Sequence, residues 1–75
     1  MPNPDPLLSA LGQRVRKLRE AKNLTQEQLG EKAELEQAYL SDVERGTRNP
    51  SVLVVGRIAS ALRISLAELF EEVKQ

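Results

Sequence analysis

Apolar residues recur along this chain at intervals of three and four, and no segment alternates apolar with polar residues as a half-buried strand would. Leu8, Leu11, Val15 and Leu18 form one stripe, which predicts a first helix over about 7–22. Arg14, Arg16, Lys17 and Lys22 fall on its other, solvated face. Asp5 stands where an N-cap belongs and Pro6 where a first helical residue does, while Asn23 suits the left-handed turn that closes such a helix. Residues 1–6 hold three of the four prolines and no apolar period, so they read as a disordered tail.

The second helix is announced by a capping box, Thr25 with Gln28, and by the hydrophobic staple Leu24–Leu29. It should run over 26–33, too short to persist without packing. Gly30 in its middle points to a second helix packed closely there. A break at Glu34, Leu35 and Glu36 leads to a third helix over 37–45, with Leu40 and Val43 inward and Gly46 as its C′ residue. Thr47 to Pro50 is a loop. Ser51 caps a fourth helix with core positions Val52, Val55, Ile58, Ala59 and Leu62. A second capping box, Ser65 with Glu68, opens a fifth with Leu66, Leu69, Phe70 and Val73. The expected fold class is all-α, five short helices around one core.

Seventy-five residues make one small domain, expected to bury roughly 60% of the surface its unfolded chain exposes. Absence of cysteine and histidine excludes disulfides, zinc sites of the usual Cys/His kind, and Ser-His or Cys-His catalysis. No metal or cofactor is expected. The longest strictly aliphatic run, Val52 to Val55, is far short of a membrane span, and no signal peptide is visible, so a cytoplasmic domain is expected. Eleven basic and eleven acidic residues cancel overall but are unevenly spread. Between Thr25 and Arg45 six acids (Glu27, Glu31, Glu34, Glu36, Asp42, Glu44) face two bases (Lys32, Arg45), a net of −4. Between Ala10 and Asn23 five bases face Glu20 alone, a net of +4.

Two short helices joined by a tight break and backed by a longer one form the helix-turn-helix layout. The major groove admits one helix, so the second of the pair must stand proud and present polar residues. Gln37, Ser41, Asp42 and Arg45 lie away from Leu40 and Val43 and meet that demand. Gln26 occupies the first turn of the second helix, where free N–H groups and the dipole favour phosphate.

The strings Leu24-Thr25-Gln26-Glu27-Gln28-Leu29 and Tyr39-Leu40-Ser41-Asp42-Val43-Glu44-Arg45-Gly46 resemble the lambda-repressor-like (Cro/CI, XRE) helix-turn-helix family. Arg48-Asn49-Pro50-Ser51 and Ile64-Ser65-Leu66-Ala67-Glu68-Leu69-Phe70 continue the resemblance, which spans about 11–70. It implies a dimeric, sequence-specific DNA-binding regulator. Position by position, it implies that Gln26 contacts a phosphate and that Gln37, Ala38, Ser41 and Asp42 face base edges. Tyr39 would reach DNA from the flank, and Arg45, Arg48 and Asn49 would hold the backbone. Gln37 could pair with adenine, Ala38 meet a thymine methyl and Asp42 accept from cytosine. The resemblance also implies a buried structural ion pair between Arg19 and Glu44. The chain departs from the pattern at Glu34 and Arg63, where glycine is frequent, and at Glu36, where a serine or threonine cap is usual.

Tyr39 could equally pack on Val43. Leu53 and Val54 leave the start of the fourth helix apolar almost all round. This is either a greasy surface or a dimer contact shared with Leu66, Phe70 and Val73. The expected organisation is residues 1–6 as tail and 7–75 as the DNA-binding domain, with the helix-turn-helix at about 25–45 and dimerisation helices at about 52–73. The leading expectation is a homodimer on an inverted-repeat operator, of repressor or restriction–modification controller type, with no further sensing domain. Such a dimer can block RNA polymerase or touch it through acids near the second helix. The net of −4 supports an alternative, an antitoxin-like or adaptor module that binds protein. An enzyme is the weakest reading, since so small a bundle leaves no pocket.

Overall fold

The computed structural model describes residues 5–73. Five helices follow one another: α1 Pro6–Ala21, α2 Gln26–Ala33, α3 Gln37–Arg45, α4 Val52–Ala61 and α5 Leu66–Phe70. Among the described residues there is no strand. Asp5 does cap α1, its carboxylate accepting the Leu7 N–H at 2.8 Å. The helix therefore begins inside the stretch expected to be a tail, at Pro6, whose fixed φ suits a first helical position. The rest of that expectation, residues 1–4, lies outside the described residues.

Both capping boxes form, at Thr25 with Gln28 and at Ser65 with Glu68. The core is Leu11 and Val15 of α1, Leu29 and Ala33 of α2, and Leu40 and Val43 of α3. Val55, Ile58 and Ala59 of α4, Leu62 just beyond it and Leu69 of α5 complete it. The fully buried leucines alone are each worth about 1.5–3 kcal/mol relative to exposure. That burial is what holds the eight-residue α2 in place.

Several positions differ from the sequence reading. Val52 is 75% exposed, because the inward row of α4 begins one turn later at Val55 and its first turn overhangs the core. Only Leu69 of α5 is buried; Leu66 and Phe70 stay partly exposed. What excludes a side chain at Gly30 is not a neighbouring helix but the turn itself: an added Cβ would lie 2.7 Å from the Leu35 carbonyl oxygen. The close helix contact falls instead at Gly12, where a Cβ would overlap the carbonyl oxygens of Val43 and Glu44. This glycine lets α1 lie directly against the end of α3.

The turns are closed by residues that pay for a left-handed backbone without being glycine: Asn23, Glu34 and Arg63, at φ near 60°. Each such residue costs roughly 1–2 kcal/mol. At Glu34 the offset comes from α4, whose Arg57 donates to the Ala33 carbonyl at 3.0 Å and to the Glu34 carbonyl, capping the C-terminus of α2. Arg14 is the corresponding device for α5, and is not the solvated side chain expected. Its side chain is 12% exposed, and its guanidinium donates to the carbonyls of Leu69 (3.1 Å) and Glu68 (2.9 Å). The last carbonyls of the short α5 thereby gain a side-chain donor from α1.

Candidate nucleic-acid interface

The site is built around one buried carboxylate. Glu44, at the end of α3, accepts from Arg19 Nε at 2.7 Å and from Arg19 Nη2 at 3.1 Å. Arg19 Nη1 donates to the Leu24 carbonyl at 2.8 Å. Gln26 Nε2 donates to Glu44 Oε1 at 3.0 Å. A single carboxylate thus ties together α1, the loop after it, the N-terminus of α2 and the end of α3. No buried side-chain polar atom among the described residues is left without a partner. The hydrogen bonds that Arg19 donates to Glu44 raise the Arg19 pKa above its ordinary value, against desolvation that works the other way.

This frame fixes how α3 stands. Gln37 and Ala38 are exposed at its N-terminal end, Ser41 and Asp42 half-exposed one turn on, and Arg45 exposed at its close. Glu36 makes no side-chain cap, so the first turn of α3 keeps free N–H groups. With its side chains an α-helix such as the nine-residue α3 is about 10–12 Å across, matched to a groove about 12 Å wide. Gln26 stands half-buried on the neighbouring helix end. An amide has two N–H donors, so one remains after the bond to Glu44.

Beyond α3, the left-handed Gly46 turns the chain back, with the Thr47 N–H donating to the Asp42 carbonyl at 3.0 Å. The turn brings Arg48 over the Tyr39 ring, 4.6 Å from its centroid. Tyr39 also packs against the core cluster, while its ring face holds the Arg48 cation. Arg48 Nη2 reaches Asp42 Oδ2 at 3.4 Å. Arg45 donates to Asp42 Oδ1 and, at 2.7 Å, to Ser41 Oγ. Tyr39, Ser41, Asp42, Arg45 and Arg48 therefore form one cluster. Asn49 is placed apart, lining an apolar groove of about 200 Å³.

That groove qualifies the expectation that the bundle leaves no pocket. Leu7, Leu8 and Leu11 of α1, Val52 and Val55 of α4, and Leu66 and Phe70 of α5 form its walls with Asn49 and Pro50. None of them is ionisable. Of the residues expected to share a dimer contact, Leu66 and Phe70 line it. Leu53 is 81% exposed on α4, whereas Val54 turns half inward onto the core. Val73 is half-buried, its N–H bonded to the Phe70 carbonyl. Sequence reasoning missed Gly12, Arg14 and Arg57.

A buried frame that presents one short helix, polar side outward, beside the free N-terminus of another defines a helix-turn-helix domain. Residues 15–69 match the helix-turn-helix family model, and the chain belongs to that family, of the XRE or Cro/CI type. It is 42% identical over 62 residues to the immunity repressor protein of Bacillus phage phi105, covering 83% of this chain but 43% of that protein. The crystal structure of the restriction–modification controller protein C.AhdI from Aeromonas hydrophila superposes with a TM-score of 0.82. That pair shares 46% identity and covers 84% of this chain and 96% of the other. The controller protein C.Esp1396I, solved as a tetramer on its natural 35 base-pair operator, superposes with a TM-score of 0.83 at 34% identity. The match covers 89% of this chain and 88% of that one.

Proposed function

We propose that this chain is a sequence-specific DNA-binding transcriptional regulator, of repressor or controller type, which binds a palindromic operator as a homodimer. The observation that carries the proposal is the exposed polar start of α3, held proud by the Arg19–Glu44–Gln26 frame. Gln37 and Ala38 read base edges, Ser41 lies beside them, and Gln26 offers its second N–H to a phosphate at the α2 N-terminus. Tyr39, Arg45 and Arg48 border that surface and serve the sugar–phosphate backbone, which Asn49 meets from the loop beyond. Likeness to repressor and controller proteins supports the same reading.

Dimerisation follows from dimensions. The domain is 31 Å along its longest axis and carries one such helix, whereas successive major grooves recur roughly 34–36 Å apart. Two copies are needed to read two. Exposed Val52, Leu53, Leu66 and Phe70 supply an apolar face for that contact. Glu27 and Glu31 are exposed one turn apart on α2 and available to RNA polymerase. No helix among the described residues is long and apolar enough to cross a membrane, and a cytoplasmic setting suits a DNA-binding regulator.

The net of −4 across α2 and α3 supports the protein-interaction alternative. Selection from a random pool of duplex DNA at near-physiological salt separates the two. The regulator enriches a palindrome with half-sites one helical turn apart, and Gln37→Ala relaxes one position of it at a cost of about 1–3 kcal/mol. A folded protein that enriches nothing is the interaction module.

A further inference from the structure

We propose that Asp42 does not read a base but acts as an internal competitor for DNA phosphate, a carboxylate clamp on Arg45 and Arg48 that only a well-aligned duplex opens. The inference rests on the DNA-binding reading above and assigns Asp42 a role in specificity within it.

Both carboxylate oxygens of Asp42 are already occupied. Oδ1 accepts from Arg45 and Oδ2 from Arg48 at 3.4 Å. Local geometry dictates this. Arg45 follows Asp42 by three residues on the same helical face. The left-handed Gly46, locked by the Thr47 N–H on the Asp42 carbonyl, swings Arg48 back to the same carboxylate. The Tyr39 ring then supports the returning guanidinium. The trio carries a net charge of +1 where two free arginines would present +2. All three side chains are partly exposed, at 30%, 61% and 49% for Asp42, Arg45 and Arg48. Exposed pairs of this kind are weak and exchange readily, and a phosphate offers the same bidentate geometry as the carboxylate.

Such a clamp affects the two classes of DNA unequally. On an operator, base contacts from Gln37 and its neighbours seat α3 at a fixed depth and bring phosphates within reach of the arginines. The clamp opens there at small cost. On random duplex the helix lacks that seat, binding is almost entirely phosphate electrostatics, and the clamp stays shut. Random sequence thus forgoes a contact that the operator obtains.

The test compares wild type with Asp42→Asn on the selected operator and on a scrambled duplex across a range of salt. The substitution keeps shape and removes the charge. Affinity for the scrambled duplex should rise by about fivefold at 0.15 M salt, with its log–log salt slope steeper by about 0.9, one phosphate's worth. Operator affinity should change less, so the specificity ratio falls. Arg48→Ala added to Asp42→Asn should cancel most of the gain. Loss of preference at one operator base pair with an unchanged slope would make Asp42 a base reader and overturn the clamp. So would equal binding by both proteins on both duplexes. A wild type that enriches no operator overturns this inference and the DNA-binding reading together, whereas an operator with an inert Asp42→Asn overturns the clamp alone.

Discussion

Glu44 and Asp42 stand two residues apart on α3, and each carboxylate holds arginine side chains. Exposure separates them. The Glu44 and Arg19 side chains are 3% and 11% exposed, whereas those of Asp42, Arg45 and Arg48 lie between 30% and 61%. Burial has already stripped water from the first pair, so each charge depends on the other and on the bonds to Leu24 and Gln26. The second set remains in water, where the same Coulomb attraction is screened and each partner can be replaced by solvent or by another anion. One helix thus uses the same pairing of carboxylate with arginine for permanent geometry on its inner side and for exchangeable contacts on its outer side.

The largest expected effect comes from breaking the inner pair. Glu44→Ala strands Arg19 in the interior and should cost about 3–5 kcal/mol by denaturant unfolding, enough to unfold much of so small a domain. On the arginine side this contribution does not vary near neutral pH. The Arg19 pKa is raised on folding, so its share is fully present below the unfolded value and is lost only as pH rises through the still higher folded one. Gly12→Ala attacks the frame without touching its charges, because the new methyl must push α1 off the Val43 and Glu44 carbonyls. A loss of about 1–3 kcal/mol is expected in the same unfolding measurement. Crossing to the outer set, Arg48→Ala should leave unfolding nearly unchanged and weaken operator binding, with a salt slope shallower by about 0.9, while binding to a scrambled duplex, on which the clamp stays shut, changes less. An unchanged slope would remove Arg48 from the backbone contacts. The smallest effect sharpens the contrast most: Asp42→Asn should alter stability by no more than about 0.5 kcal/mol. A drop comparable to that of Glu44→Ala would show that the two carboxylates do the same work.

Local signals carried most of the fold. The bounds of α2 and α3 could be read because capping boxes, a C′ glycine and the apolar period all act within a few residues. The left-handed closure at Glu34 was foreseeable from the glycine it replaces. Long-range side-chain contacts were not. Arg14 and Arg57 look like any exposed basic residue on a helix, and only the packing of α5 on α1 and of α4 on α2 turns them into caps. Val52 misled because an apolar period does not reveal where the core ends. At the interface, the order of residues along α3 was legible and the outward placement of Gln37 and Ala38 followed from it. The pairing of Arg48 with Asp42 was not, since it depends on the path of the chain after Gly46.

The central claim is that DNA meets the outer side of α3 and the adjacent end of α2. Its most direct test is a titration of isotope-labelled protein with the selected operator duplex, followed by backbone and side-chain amide chemical shifts. The largest changes should fall at Gln26, at Gln37 to Asp42 and at Arg48, with the side-chain amides of Gln26 and Gln37 among them, while Arg16, Lys17, Glu27 and Glu31 stay still. Changes concentrated instead on Arg16 and Lys17 of α1, with α3 silent, would contradict it.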